Sequence, residues 1–386
     1  MEHAELAAWL RLTLTPGIGP ETARQLLAAF GLPQDIFGQS LAALKQVVPP
    51  IQAEALRREP AADLAEHIER TWQWLQERAE PEVQHRILTL GDAAYPASLL
   101  NIDDPPLLLY AMGRPDLPHE AERSIAIVGS RNPTPQGTLN ARQFARVLRE
   151  AGLTIVSGLA LGIDGAAHEG ALDGLGPASR QHLATIAVVG TGLDRVYPKS
   201  HHALAHRIAR HGLLISEYPL GTPPLPGNFP RRNRLIAGLS CATLVVEAAL
   251  QSGSLITARL AAEQGKDVFA IPGSIHTTQS RGCHALIRQG AKLVESAQDV
   301  LEDLTGVTAL SPTSLASAGA DPRPSSAGEK PDPLLDALGF DPVGLDALQA
   351  RTGLDTAQLQ SRLMALELRE QVARLPGGLF QRIVKN

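Results

Sequence analysis

Between Arg123 and Ile271 the chain repeats one unit: a short β-branched run, a loop of glycine and serine, and a helical stretch. The runs are Ser124-Ile-Ala-Ile-Val128, Leu153-Thr-Ile-Val156, Ala184-Thr-Ile-Ala-Val-Val189, Leu213-Leu-Ile-Ser216, Ala242-Thr-Leu-Val-Val-Glu247 and Asp267-Val-Phe-Ala-Ile271. Such units predict an α/β domain, a mostly parallel sheet covered by helices on both faces. In that architecture ligands bind beyond the carboxyl ends of the strands. The loops to inspect are therefore Gly129-Ser-Arg131, Ser157 to Asp164, Gly190-Thr-Gly-Leu-Asp194 with Tyr197-Pro-Lys199, Phe229 to Arg234, and Ser252-Gly-Ser-Leu-Ile-Thr257. Glycine lets the main chain approach an anion, and the helix amino ends that follow offer unpaired N–H groups.

One of these loops stands out by charge. Pro226-Gly-Asn-Phe-Pro-Arg-Arg-Asn-Arg234 holds three arginines and no acid in a 386-residue chain of net charge -5. Positive charge, an aromatic and amide groups suit a nucleotide ligand held by phosphate and base. Pro230 is placed to open a helix at its first position. Because the whole chain is mildly acidic, contact with nucleic acid has to be a focused patch rather than a general coat. Hydrophobic residues make up 44% of the chain, enough for a real core, and its length allows two or three domains. Two cysteines, Cys241 and Cys283, make neither a disulfide framework nor a four-ligand zinc site, which fits a reducing cytoplasm. The opening residues do not read as a signal peptide, and no apolar run approaches membrane-span length.

Familiar nucleotide and metal motifs largely fail. Gly190-Thr-Gly192 starts like a dinucleotide fingerprint, but Arg195 occupies the third glycine position, and no P-loop sequence is present. His202 and His206 are four apart, a pair that reads as an exposed helix face or one edge of a metal site. Asp164 and His168 share that spacing and read as a helix cap with a buried or paired histidine, or as a general base. The expectation is no metal and no cofactor.

Before the repeated units, Glu5 to Leu14 and Glu21 to Phe30 are amphipathic and flank Thr15-Pro-Gly-Ile-Gly-Pro20, either a plain helical turn or the hairpin of a helix-hairpin-helix module. Helical text runs on from Gln52 to Arg78, so residues 1–80 are expected to form a small helical module. An α/β domain over 81–305 follows, then a flexible linker over 306–333, rich in Ser, Ala, Pro and Gly. Residues 334–386 read as helix, turn, helix and a hairpin tipped by Gly377-Gly378, the pattern of a winged helix. That tail carries five Arg and one Lys against four Asp and two Glu, zero net charge, which favours protein contact or weak duplex contact over operator reading.

The motif series is more specific than any one loop. Gly129-Ser-Arg131, Ser157-Gly-Leu-Ala-Leu-Gly-Ile-Asp-Gly-Ala-Ala-His168, Gly190-Thr-Gly-Leu-Asp194 with Tyr197-Pro198, Ser216-Glu217, Asn228-Phe-Pro-Arg-Arg-Asn-Arg-Leu-Ile-Ala-Gly238, Val246-Glu-Ala248, Ser252-Gly-Ser-Leu-Ile-Thr257 and Ile271-Pro-Gly273 resemble, in order, the DNA-processing protein A (DprA or Smf) family. The resemblance implies an extended Rossmann-like domain, with the helical module before it and the winged-helix-like module after it. It further implies a cytoplasmic, non-catalytic homodimer that binds single-stranded DNA and loads the recombinase RecA in natural transformation, with a single-strand-binding protein as a further candidate partner. The implied DNA-binding set is Gly129, Ser130, Arg131, Ser157, Gly158, Lys199, Asn228, Phe229, Arg231, Arg232, Asn233, Arg234, Ser252, Gly253, Ser254 and Thr257. Within it Arg131, Lys199, Arg231 and Arg232 would meet phosphates, Phe229 would stack on a base, and Asn233 would meet a base edge or, with Arg234, pin the loop. The family's dimer surface corresponds here to the apolar Ala285 to Val294 region.

Two other functions compete. A nucleoside-monophosphate phosphoribohydrolase of the related Rossmann group would place a catalytic glutamate after a glycine loop where this chain has Glu247-Ala-Ala-Leu-Gln-Ser-Gly-Ser254, leaving Glu247 as the one usable carboxylate. A transcription regulator would depend on the winged helix, which its neutral charge disfavours.

Overall fold

The structure, a computed structural model, describes residues 1–383 except 61, 78–79, 81, 118, 176–181, 306–331 and 341. The chain opens with α1 (His3–Leu14), α2 (Pro20–Phe30), α3 (Pro33–Gly38), α4 (Leu41–Leu44), α5 (Pro50–Arg57) and α6 (Ala62–Gln76). Proline occupies the first position of α2, α3 and α5, where its fixed φ suits the helix and its missing N–H is no loss. The helical text read from Gln52 to Arg78 is two helices, separated around Pro60 because proline cannot continue a helix interior.

The sheet comprises β1 (Gln84–Thr89), β2 (Leu108–Gly113), β3 (Ser124–Val128), β4 (Thr154–Ser157), β5 (Thr185–Val188), β6 (Leu213–Ser216), β7 (Ala242–Val245), β8 (Asp267–Ala270) and β9 (Lys292–Leu293). Its order is β1-β2-β6-β5-β4-β3-β7-β8-β9, parallel from β6 to β9 and antiparallel at β1–β2 and β2–β6. The six runs read from sequence are β3 to β8. From β3 the chain first builds outward through β4, β5 and β6, then returns to add β7, β8 and β9 on the other side. The loops leaving β3 and β7 therefore diverge, and the crevice between them is the switch point where such sheets bind ligands.

Between and after the strands lie α7 (Pro135–Glu150), α8 (Ile163–Leu172), α9 (His202–His211), α10 (Asn228–Gly238), α11 (Ser254–Glu263), α12 (Arg281–Arg288) and α13 (Ala297–Thr305). Three apolar clusters hold the layers together. Residues of α10, α11 and α12 pack on one face of the sheet, and residues of α7, α8 and α13 on the other. The third cluster joins Leu6, Trp9, Leu26 and Trp74 of the opening helices to Leu108, Tyr110 and Leu214 of the sheet and Leu204 and Ile208 of α9. The opening helices thus share a core with the sheet.

The proposed linker lies almost wholly outside the described residues. At its end Asp332 accepts the Leu334 N–H at 2.9 Å, so a helix begins at Pro333, inside the segment assigned to the linker. The tail holds α14 (Pro333–Leu338), β10 (Val343–Gly344), α15 (Leu345–Thr352), α16 (Thr356–Leu368), β11 (Val372–Leu375) and β12 (Leu379–Arg382), with sheet order β10-β12-β11. Among the described residues no helix is long and apolar enough to cross a membrane.

Trp74 is 5% exposed in the shared core, and its ring stacks on His85 of β1 at 4.3 Å. Trp74→Ala should cost about 3–5 kcal/mol in urea unfolding. Because the core is shared, helices and sheet should melt in one transition when followed by probes in each. Separate transitions would show the opening helices to be an independent unit.

Candidate nucleic-acid interface

A cleft of about 390 Å³ opens at the switch point. Its walls come from the ends of β3 and β4, the first turns of α10, and the loop between β7 and α11. Gly129, Ser130, Arg131, Phe229, Arg232, Asn233, Ser252, Gly253, Ser254 and Thr257 all line it. Ser157, Gly158, Lys199, Asn228, Arg231 and Arg234 do not.

The stretch read as a basic loop is mostly helix: α10 starts at Asn228, with Pro230 at its third position rather than its first. Helical spacing then sends its arginines in different directions. Arg231 is exposed at the rim. Arg234 pairs with both oxygens of Glu217 at 2.7 and 2.6 Å. Arg232 is 3% exposed and donates from Nη1 to the carbonyls of Gly158, at 2.7 Å, and Val188. Burial pushes its guanidinium down to about 10, while Asp164 acts to hold the charge. Burial likewise raises the Asp164 carboxyl, opposed chiefly by Arg232. Arg232, expected at a phosphate, thus has its Nη1 committed to the ends of β4 and β5. The close approach requires glycine, since a Cβ at Gly158 would lie 2.3 Å from Arg232 Nη2.

Other small polar residues also hold the frame. Ser157 Oγ donates to Ile127 O at 2.6 Å and Asn228 Nδ2 to Gly190 O at 3.1 Å, both buried. Asn233 Nδ2 donates to Gly253 O at 3.2 Å, joining α10 to the loop before α11 across the crevice. Ser252 and Ser254 share a hydroxyl contact of 2.7 Å at the start of α11. The Thr257 hydroxyl is buried, lacks a protein partner and lies among the cleft-lining residues. Neither α10 nor α11 has an acidic residue in its first turn, so their amino ends keep their attraction for anions.

At the mouth Arg131 is exposed, with its guanidinium carbon 5.8 Å from the Phe229 ring centroid. Tyr197 is tilted against the same ring, centroids 5.6 Å apart and planes at 41°. Tyr197 was absent from the expected set, although its Tyr-Pro motif was visible. Gln251 and Gln279 also line the cleft, from loops with no sequence signal.

Glu247 accepts from Thr134 N–H at 2.9 Å and Thr134 Oγ1 at 2.6 Å, holding the residue that caps α7. Burial raises its carboxyl, and a Cβ at Gly137 would meet it at 2.3 Å. Both oxygens of the one carboxylate available to a hydrolase reading are engaged in holding a helix. His168 is fully buried with Nδ1 2.7 Å from Thr185 Oγ1, and burial pushes it down to about 3. It is the buried, paired histidine rather than a base open to solvent.

These features define a Rossmann-type protein whose switch-point cleft is furnished for an anionic, planar-ring ligand. The family model described as DNA recombination-mediator protein A matches residues 86–305, and the DprA winged helix domain matches residues 318–378. Protein Smf of Synechocystis sp. is 34% identical over 419 residues, spanning 99% of this chain and 100% of its own length. DNA processing protein A from Streptococcus pneumoniae aligns structurally with a TM-score of 0.63 at 37% identity, covering 78% of this chain and 98% of that one. DNA processing protein A from Helicobacter pylori, described for its unique single-stranded DNA binding mode, aligns with a TM-score of 0.51 at 33% identity, covering 58% and 97%. The chain belongs to the DNA recombination-mediator protein A family, the DprA and Smf proteins.

His168 carries a pH signature. Its folded pKa lies below the unfolded value, so between about pH 6.5 and 3 the unfolded chain binds the extra proton. Stability should therefore fall with acidification across that window, by up to about 1.4 kcal/mol per pH unit from this group. His168→Asn, which keeps a donor toward Thr185, should lose that part of the slope in denaturant titrations at stepped pH.

Proposed function

We propose that the switch-point cleft binds single-stranded DNA and that the protein, without catalysis of its own, presents the bound strand to the RecA recombinase in transformation and recombination. The observation that carries the binding reading is the mouth of the cleft, where Arg131, Phe229 and Tyr197 stand together. An aromatic flanked by a free cation suits an unpaired base on a phosphate chain, since stacking needs a ring face that duplex DNA keeps covered. Ser252, Gly253, Ser254 and the amino ends of α10 and α11 then supply neutral donors for the backbone.

In this reading Arg131, Arg231 and Lys199 meet phosphates. Arg232, Ser157, Gly158 and Asn228 act one layer back, by fixing where α10 and the strand ends stand. The RecA step, a single-strand-binding protein as further partner and the cytoplasmic setting draw their support from family membership. Homodimerisation through α12 and β9 is supported by Leu293, half exposed at 51%, and the partly exposed Ile287 beside it. The winged-helix module over 334–386 takes a protein-contact role in this reading. The outward face of α16 presents Ala357, Ser361, Met364 and Leu368 without a charge, Met364 and Leu368 being 64% and 79% exposed.

The decisive measurement is fluorescence anisotropy of single-stranded and duplex oligonucleotides of equal length at several salt concentrations. Arg131→Ala should weaken single-strand binding and reduce the salt slope by about 0.7, one phosphate contact. Phe229→Ala should cost about 1–3 kcal/mol of affinity with the slope unchanged, because stacking releases no counterion. Equal affinity of the wild type for single strands and duplex would overturn the assignment. Deletion of 334–386 should leave most single-strand affinity in place.

A further inference from the structure

The opening helices reach the cleft through a continuous chain of charged and polar contacts. Arg24 of α2 donates from Nη1 to Asp104 Oδ1 at 2.7 Å and to Pro105 O at 3.0 Å. Asp104 in turn holds Arg234 of α10: its carbonyl accepts from Arg234 Nε at 3.1 Å, and its Oδ2 lies 3.6 Å from Arg234 Nη2. The remaining face of that guanidinium is taken by the Glu217 carboxylate. Burial is the strongest single influence and acts to lower the Arg234 guanidinium, yet the hydrogen bonds it donates to Glu217, together with the negative charges of Glu217 and Asp104, hold the group above its ordinary value.

Glu217 belongs to the loop after β6, and that loop returns to α10 at its very start, where Tyr218 Oη donates to Asn228 O at 3.2 Å. A second arm comes from α6, whose Arg70 donates to Leu220 O in the same loop at 3.3 Å. The first two turns of α10, which carry Phe229, Arg231 and Asn233, are thus gripped at Asn228 and at Arg234. Each grip leads back to the opening helices. The inner ion pair is sheltered, with Arg234 and Glu217 side chains 16% and 17% exposed. The outer link is more open, Arg24 and Asp104 being 24% and 46% exposed. The outer link alone contributes little stability, because exposed ion pairs are weak. Its effect is on where α10 stands.

We propose that the opening helices brace the cleft, with Arg24 and Asp104 as positioning residues that set the first two turns of α10 through Arg234 and Glu217. The proposal rests on the single-stranded DNA reading for its consequence, and on the contacts for its mechanism. It gives the opening helices a part in binding without any contact between them and the strand. Coupling of this kind acts on the position of Phe229 and Arg231 and leaves the number of phosphate contacts alone.

The test uses the full chain with Asp104→Ala, Arg24→Ala and Arg24→Lys, read by single-strand affinity and by hydrogen exchange of α10 amides. Asp104→Ala should raise the single-strand Kd about three- to tenfold, with the salt slope unchanged. It should speed exchange within α10 and leave α7 as in the wild type. Arg24→Ala should move both readouts the same way, and Arg24→Lys, which keeps a donor for Asp104, should return them toward wild type. The double variant Arg24→Ala/Asp104→Ala should be no worse than Asp104→Ala alone, since both cut one link.

Wild-type exchange in α10 of Asp104→Ala would overturn the brace, and so would additive effects in the double variant. Faster exchange with unaltered affinity would overturn the coupling. Failure of the wild type to prefer single strands would sink the functional reading instead, while α10 exchange would still decide whether the contacts act as a brace.

Discussion

A guanidinium with almost no access to water is the fixed point of this molecule. Burying a charge is costly unless it is paired and hydrogen-bonded. Arg232 meets most of that demand through the Gly158 and Val188 carbonyls, which take its Nη1, and through the charge of the buried Asp164 carboxyl, while its Nε has no protein partner among the described residues. The side chain leaves α10 while its partners sit at the ends of β4 and β5 and in the first turn of α8, so one residue ties a helix to two strands and another helix. The rest of the cleft is arranged around that knot. Gly158 has no room for a Cβ beneath it, and Asn233, one position on, crosses to the loop that opens α11. Arg231, one position earlier, is left free to face solvent.

Much of this was legible in the residues, and what was not has identifiable causes. β3 to β8 could be read directly, since strands covered on both faces are written as unbroken apolar runs. Among the described residues β1 pairs only with β2, and its Gln84-His-Arg start reads as surface; β9 is two residues long. Neither carries a pattern that outweighs its neighbours. Ten of the sixteen expected residues line one cleft because topology alone puts their loops side by side. The separate duties of adjacent arginines were not legible. Charge predicts exposure, and only packing reveals that Arg232 turns inward while Arg231 does not. Glu247 is a similar case: a carboxylate after a strand looks like chemistry until Thr134 is seen to occupy both of its oxygens.

Two ends of the chain treat the central sheet differently. The winged-helix tail has a core of its own, built from Leu334, Leu348, Leu359, Leu363 and Phe380. The opening helices do not stand apart in this way, because Trp74 and Leu6 belong to the cluster that also contains Tyr110 and Leu214 of the sheet. The same helices send Arg24 and Arg70 toward the loops around α10. Apolar packing fixes them on the sheet, and directional contacts then determine which loops they touch.

That shared core also constrains inheritance. A domain with a sealed surface can be gained or lost between lineages as a cassette, whereas these helices share with α9 the covering of one patch of the sheet. Any relative that dispenses with them must also have rewritten Leu108, Tyr110 and Leu214, or found another lid for the same strands. Changes at those three positions should therefore travel with the loss of the helices, as a matched set written into the sequence far from the segment removed.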